Sequence, residues 1–250
     1  KNPAEILVDH WGIPHIYAAS QKDVFFAQGF NAARDRLWQI DLWRKRGLGK
    51  LSEVLGPKYV DQDRAARLFL YRGDMDKEWK SYGKDARRTV TSFVEGINAY
   101  VEMTRKNPDL LPKEFKILGY KPSKWKPEDV ARIRSHGLTR NVDSEVARAL
   151  TLRKYGKKAE TMRQGLEPDW ETKIPKGLNL NDIPEDVLKT YHEAKQSVYF
   201  DKEDQQVKMK SLNNRIQYES NLGSNNWVIG PNKSKTGRPI LANDPHRSVT

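Results

Sequence analysis

Apolar residues recur along this chain with two different periods. Ile6-Leu7-Val8 and Ile13 to Tyr17 are short β-prone runs around Asp9-His10-Trp11-Gly12. They predict an N-terminal hairpin whose turn uses the positive φ that Gly12 permits. Beyond it, Phe26, Phe30, Ala33, Leu37 and Ile40 are spaced 4, 3, 4 and 3, which places one apolar stripe along a helix of at least five turns. Ser20 with Asp23 forms the capping-box pattern at its start, and Gly47-Leu48-Gly49 ends it. Arg34, Asp35, Arg36, Asp41, Arg44 and Arg46 fall off the stripe and are expected on other faces. A second helix is predicted from about Asp85 to Met103, with Val90, Phe93, Val94, Ile97 and Val101 on one side. Pro108, Pro112 and the aromatic-rich run Tyr120 to Pro127 then interrupt the chain. Pro127-Glu128-Asp129 opens a third helix, expected to reach about Leu138, because Pro fits a first turn and acids complement the helix dipole there. A fourth helix is expected from about Ser144 to Tyr155.

From roughly 156 to 223 the pattern fades into Lys, Glu, Asp, Gln and Asn, with only Ile183 to Ala194 helical in character. The stretch reads as a loosely packed linker. β-prone runs return at Asn226 to Ile229 and Pro239 to Ala242, separated by Gly230-Pro231-Asn232 and Thr236-Gly237. Two strands alone are marginal in water. Either the N-terminal strands complete their sheet, or the sequence is a segment of a longer chain. Its start at Lys1 fits a processed product or a cut piece.

Composition narrows the classes. With 37% hydrophobic residues, 7 Trp, 7 Phe and 10 Tyr in 250 residues, the chain has material for a real core. No run of about 18 uncharged apolar residues exists, so no helical membrane span is expected. The absence of Cys removes disulfides, thiolate catalysis and Cys-based zinc sites. The formal charge of +12 invites a nucleic-acid reading, supported by Trp43-Arg44-Lys45-Arg46 and by Lys121, Lys124 and Lys126 among aromatics. Against it, the cations are spread through the chain and mixed with acids, and solvated surface is the favoured reading. Gly47 to Ser52 begins like a phosphate loop but lacks its later glycine and follows a helix, which fits a helix terminator better. His10 and His15 have no further ligand at metal spacing. The chain has no Gly-x-Ser-x-Gly elbow.

One constellation remains: Asn221-Leu222-Gly223-Ser224-Asn225-Asn226-Trp227-Val228-Ile229-Gly230, followed by Ala242-Asn243-Asp244-Pro245-His246. Taken plainly, these are a polar turn entering one strand and a turn ending the next. Ser224 has no base beside it in the sequence. It gains one if the chain is cut immediately before it, because a free α-amino group has a pKa of about 7.7–8.0 and can accept the hydroxyl proton.

This segment resembles the maturation site of the penicillin acylase family, N-terminal-nucleophile hydrolases whose precursors cleave themselves before a Ser that leads into a strand. Val8 to Tyr17 is similar to the family's opening strand motif. Ala27-Gln28-Gly29-Phe30, Ala33 to Gln39 and Arg44 to Gly49 are similar to its first long helix and basic exit, and Trp125 to Asp129 adds a further match. The resemblance implies an α+β fold: a mainly helical α-chain with an N-terminal β-hairpin over 1–195, a spacer over 196–223, and over 224–250 the first strands of an αββα sandwich. It implies cleavage between Gly223 and Ser224, then hydrolysis of a linear amide in a penicillin, a cephalosporin or an N-acyl-homoserine lactone through an acyl-enzyme on Ser224. His246, 22 residues after Ser224, falls where the family places Gln or His near the catalytic amine; a hydrogen-bonded turn histidine is the alternative. Arg140 and Asn141 match the neighbourhood of α-chain substrate-pocket residues. Glu145 matches a carboxylate that helps bind a structural Ca²⁺ in several members, and oxygen ligands suit that hard cation. No organic cofactor, nucleic acid or membrane partner is implied. The expected partners are the small amide substrate and the α/β heterodimer made from one precursor, in the periplasm or outside the cell. Two alternatives stay open: a non-enzymatic basic helical module for anionic polymers, and an inactive family member.

Overall fold

The computed structural model describes residues 3–133, 141–163, 172–199 and 225–244. The chain divides into two compact units, 1–196 and 197–250. Unit one opens with the predicted hairpin, β1 (Ala4–Val8) antiparallel to β2 (Pro14–Ala18), with Ile6 opposite Ile16. Gly12 takes φ +79°, and Asp9 ties the turn by accepting from the backbone N–H groups of Trp11 and Ile13, both at 2.9 Å. Ile6, Pro14, Ile16 and Ala18 form the half-buried face, and both strands pack on the first helix.

That helix, α1 (Gln21–Leu48), begins at Ser20, whose hydroxyl accepts from the Asp23 N–H, and ends at Gly49 in the left-handed region. The Lys50 N–H returns to the Lys45 carbonyl at 2.8 Å, so the Gly-Leu-Gly run is a helix terminator. α5 (Ala86–Lys106) lies against α1. Ala33 and Leu37 of α1 join Val94, Ile97, Tyr100 and Val101 of α5, with Phe115 and Trp125, in the buried core. Each buried aliphatic side chain there contributes about 1.5–3 kcal/mol. The two helices approach to backbone contact at paired glycines. A Cβ on Gly29 would lie 1.9 Å from the Phe93 carbonyl oxygen, and one on Gly96 would lie 2.0 Å from that of Phe26. Only hydrogen fits at either position.

The region between the two long helices holds more structure than the apolar pattern predicts: α2 (Ser52–Leu55), α3 (Val60–Leu68) and α4 (Met75–Ser81), then α6 (Lys113–Leu118) after α5. The buried residues of α3 are Gln62, Asp63, Ala65 and Ala66, so its inner face carries little hydrophobic signal. Asp63 is structural: its carboxylate accepts from the Leu51 N–H (2.8 Å), the Ser52 N–H (2.7 Å) and the Ser52 hydroxyl (2.6 Å), which starts α2. A second departure concerns α1. Asp41, Arg44 and Lys45, expected on solvated faces, are 0%, 4% and 5% exposed. The aromatic-rich segment after α6 covers them: Arg44 donates to the Lys124 carbonyl at 3.1 Å and to the Ser123 hydroxyl, and its guanidinium lies 5.0 Å over the Trp125 ring. This also removes half of the early basic cluster from any nucleic-acid surface.

α7 (Pro127–Arg132) has Pro at its first turn and Asp129 accepting from the Lys126 N–H at 3.0 Å, as expected. It stops at Arg132; the rest of the predicted helix lies outside the described residues. α8 (Val142–Arg163) outruns its predicted end at Tyr155, with a break at Gly156 (φ +79°, ψ 178°) after which the helix resumes. The linker-like reading fails where the chain is helical, at 157–163 and 189–195. Ile183 to Ala194 is not one helix: a 3₁₀ turn at Leu180–Asp182 precedes α9 (Lys189–Lys195). α9 packs on α3 with Tyr191 and Ala194 buried. Its apolar content is small because it is fixed largely by hydrogen bonds.

Unit two contains β3 (Asn225–Ile229) antiparallel to β4 (Ile240–Asp244), with Asn225 opposite Asp244 and Trp227 opposite Ala242. The strand ends differ by one to two residues from the predicted ones. Both faces carry apolar side chains: Val228 and Leu241 on one, 68% and 71% exposed, and Trp227, Ile229 and Ile240 on the other. Strands covered on both sides read this way. Among the described residues no helix is long and apolar enough to cross a membrane. The chain is mostly helical with two small antiparallel sheets.

Candidate functional site

The expected site residues fall on two elements. β3 begins at the residue immediately after Ser224, and β4 ends two residues before His246. Antiparallel register sets Asn225 across from Asp244, so the chain enters and leaves the hairpin side by side. Ser224, Gly223 and His246 themselves lie outside the described residues, as does Arg140.

Asn141 and Glu145 stand at the start of α8. The Asn141 carbonyl accepts from the Glu145 N–H at 3.0 Å and from the Ser144 hydroxyl at 2.8 Å, closing the first turn, and the Asn141 residue is exposed. Asp143 and Glu145 occupy that turn, where acids offset the positive end of the helix dipole. A cleft of about 330 Å³ runs along this helix, walled by Val146, Ala149 and Leu152 and by Ile174, Pro175 and Ile183, with Glu145 and Arg148 among its polar lining. Its walls suit an apolar chain, and Glu145 and Arg148 are committed to each other. Arg148, buried, donates from one nitrogen to both carboxylate oxygens of Glu145 at 3.0 and 3.1 Å, and from Nε to Glu160 at 3.3 Å. Arg163 adds two bonds to Glu160 at 2.7 Å. The Arg163 hydrogen bond, seconded by Arg148, holds the Glu160 carboxyl below the usual carboxylate range, and the same bond holds the Arg163 guanidinium above its own. The Arg148–Glu160 bond crosses Gly156 and ties the two halves of α8 together, while the Glu145 and Arg163 bonds brace its two ends.

Calcium does not fit the described residues. Glu145 offers one carboxylate whose two oxygens already face a guanidinium, and no group of three or more His, Asp or Glu side chains that could hold a metal occurs among the described residues. A hard dication needs several oxygens and is repelled by a cation.

Sequence reasoning missed the buried polar cluster of α1. Asp41 is fully enclosed, with no hydrogen bond to either carboxylate oxygen; burial raises its pKa, opposed by Lys45 and then Arg44. The Tyr120 hydroxyl beside it is likewise pushed up by burial and by the Asp41 charge. Acid and base three apart on one helix, with an aromatic-rich segment downstream, was the available signal.

A sequence model of the penicillin amidase family matches residues 3–250. The chain belongs to the penicillin amidase family. Among relatives in this family, the penicillin acylase 2 proenzyme of Pseudomonas sp. strain SE83 is 31% identical over 249 residues, covering 98% of this chain and 30% of that protein. An acyl-homoserine lactone acylase of Pseudomonas aeruginosa is 29% identical over 246 residues, covering 94% of this chain and 26% of that protein. In structure, the thermostable penicillin G acylase of Alcaligenes faecalis is similar at a TM-score of 0.55 and 26% identity, over 72% of this chain and 98% of that one. The chain thus spans less than a third of the length of the curated family members it matches.

Proposed function

We propose that this chain is the α-chain, spacer and first β-chain strands of an amidohydrolase precursor that activates itself at Gly223-Ser224. The observation that carries the reading is the β3–β4 hairpin, which starts directly after Ser224 and is apolar on both faces, in a chain that matches the penicillin amidase family end to end. A hairpin of this kind suits the interior of a layered sandwich, and a rigid strand gives the first residue of a new chain a fixed position.

In the proposed maturation the Ser224 hydroxyl oxygen attacks the Gly223 carbonyl carbon. The peptide C–N bond breaks, the hydroxyl proton passes to the departing Ser224 nitrogen, and an ester links the two residues. Water then hydrolyses the ester, leaving a Gly223 carboxylate and a free Ser224 amine. Gly223 suits this attack because no Cβ obstructs the carbonyl. The freed amine serves as the base: it takes the hydroxyl proton as Ser224 attacks a substrate amide and returns it to the leaving amine, and water releases the acid from the acyl-enzyme. His246 would stand near that amine. Substrates are linear amides of the kind named for the relatives. The mature enzyme would be an α/β heterodimer acting in the periplasm or outside the cell.

Mass spectrometry of the complete gene product tests the mechanism. The expected result is a chain beginning at Ser224 in the wild type and one uncut chain in Ser224→Ala. An uncut wild type, or identical cleavage in both, overturns it.

A further inference from the structure

The last turn of α9 is held by its backbone. Arg46 of α1 donates from Nη2 to the Lys195 carbonyl at 2.5 Å, and buried Gln62 of α3 donates from Nε2 to the Gln196 carbonyl at 2.7 Å. Neither bond is local: the partners are 149 and 134 residues apart in sequence. Around this grip, Lys195 bonds its own ammonium to the Tyr191 hydroxyl at 2.7 Å, the Tyr191 ring meets Phe69 edge-on at 5.8 Å, and Ala194 is fully buried. His192 stands 2.5 Å from Asp143, which ties α9 to the first turn of α8 as well. Unit one ends at Gln196, the second of the two gripped residues.

We infer that Arg46 and Gln62 form a backbone clamp that sets the upstream limit of proteolytic trimming, so that no stable product of this chain ends before Gln196. The inference rests on the reading that the segment ahead of Ser224 is removed. A protease binds extended backbone, so a cut within α9 requires the helix to leave α3 and the clamp to open. When opening and closing are fast, the cleavage rate follows the population of the opened form. A guanidinium-to-carbonyl bond is charge-assisted, and losing one bond of this class raises that population about tenfold. Lys189 and Lys195 make the clamp measurable, because trypsin cuts after lysine.

The experiment uses the chain carrying Ser224→Ala, so self-cleavage is off and failure of the mechanism above does not bear on the result. Products of limited trypsin digestion are identified by mass. The expected outcome is that products ending at Lys189 or Lys195 are absent while Lys106 of α5 remains uncut, that Arg46→Ala speeds cleavage after Lys195 about tenfold, and that Gln62→Leu, which loses a neutral bond, speeds it about fivefold. Gln62→Leu replaces the amide by an apolar group of similar size, so it reports even if Arg46→Ala fails to fold, a failure that cleavage after Lys106 would reveal. Early cleavage after Lys195 in the unsubstituted clamp, or an unchanged rate in Gln62→Leu, overturns the inference.

Discussion

α1 and α8 each bury a carboxylate, and they treat it in opposite ways. Asp41 lies on α1 beneath the segment that follows α6, with no hydrogen bond to either oxygen, and burial raises its pKa. Glu160 is buried to a similar degree but receives three bonds from two guanidinium groups, and its pKa is lowered. The packing of α1 on α5 depends on shape, and the acid on α1 is a tolerated passenger beside it, whereas α8 uses the Arg148–Glu160 pair to tie its halves across Gly156.

The largest effect expected is on the shape-dependent side. Gly29→Ala or Gly96→Ala places a carbon about 2 Å from a backbone oxygen on the facing helix. Backbone cannot yield as a side-chain end can, and a loss of about 4 kcal/mol or more is expected in denaturant unfolding. Helix propensity alone would make the same changes stabilising by about 1 kcal/mol. A rise in stability would show that the helices can separate freely, and the contrast with α8 would collapse.

On the charge-dependent side, Glu160→Gln removes the buried carboxylate of the Arg148 pair and leaves Arg148 its bonds to the half-exposed Glu145. Breaking a buried ion pair costs about 3–5 kcal/mol, and the remaining partner places this one near about 3 kcal/mol. The pH dependence has a defined sign. A carboxyl with a lowered folded pKa contributes fully above its unfolded value and loses that contribution as pH falls through the folded one. Wild-type and Glu160→Gln stabilities should therefore converge at acid pH, below the ordinary carboxylate range. A gap that stays constant from pH 7 to acid pH would mean that Glu160 acts through packing alone.

This contrast also explains what the sequence made legible. The stripe Phe26 to Ile40 and the run Val90 to Val101 announce α1 and α5 because apolar burial leaves a periodic trace, and Ser20, Gly12 and Gly49 mark the ends through local chemistry. α3 left little trace, and α9 showed only as part of the longer run Ile183 to Ala194, since Asp63, Gln62 and Arg46 act across the fold on backbone groups, and no spacing rule records a bond between residues 46 and 195. Of the candidate site, the position of β3 after Ser224 was readable as a β-prone run behind a polar turn. The engagement of Glu145 with Arg148 was open to a spacing argument, being three apart on a helix, but the family likeness directed attention to calcium instead.

The smallest effect expected concerns Asp41, and its sign decides the comparison. A carboxyl whose folded pKa is raised favours the protonated form in the fold, so ionisation costs stability as pH rises through that value. Asp41→Asn keeps the shape and removes the charge, and it should be neutral or stabilising by about 1 kcal/mol at pH 7, within the range seen when a strained buried charge is replaced. The advantage should shrink as pH falls, because the wild-type acid becomes neutral too, which is the opposite of the convergence expected for Glu160→Gln, where the variant starts as the weaker partner. Arg44, 3.8 Å from the Asp41 carboxylate, is also held by its bonds to Ser123 and Lys124, which the substitution leaves in place. If Asp41→Asn instead lost more than about 2 kcal/mol at pH 7, the attraction of Lys45 and Arg44 would outweigh burial, and α1 would be held by charge in the same way as α8.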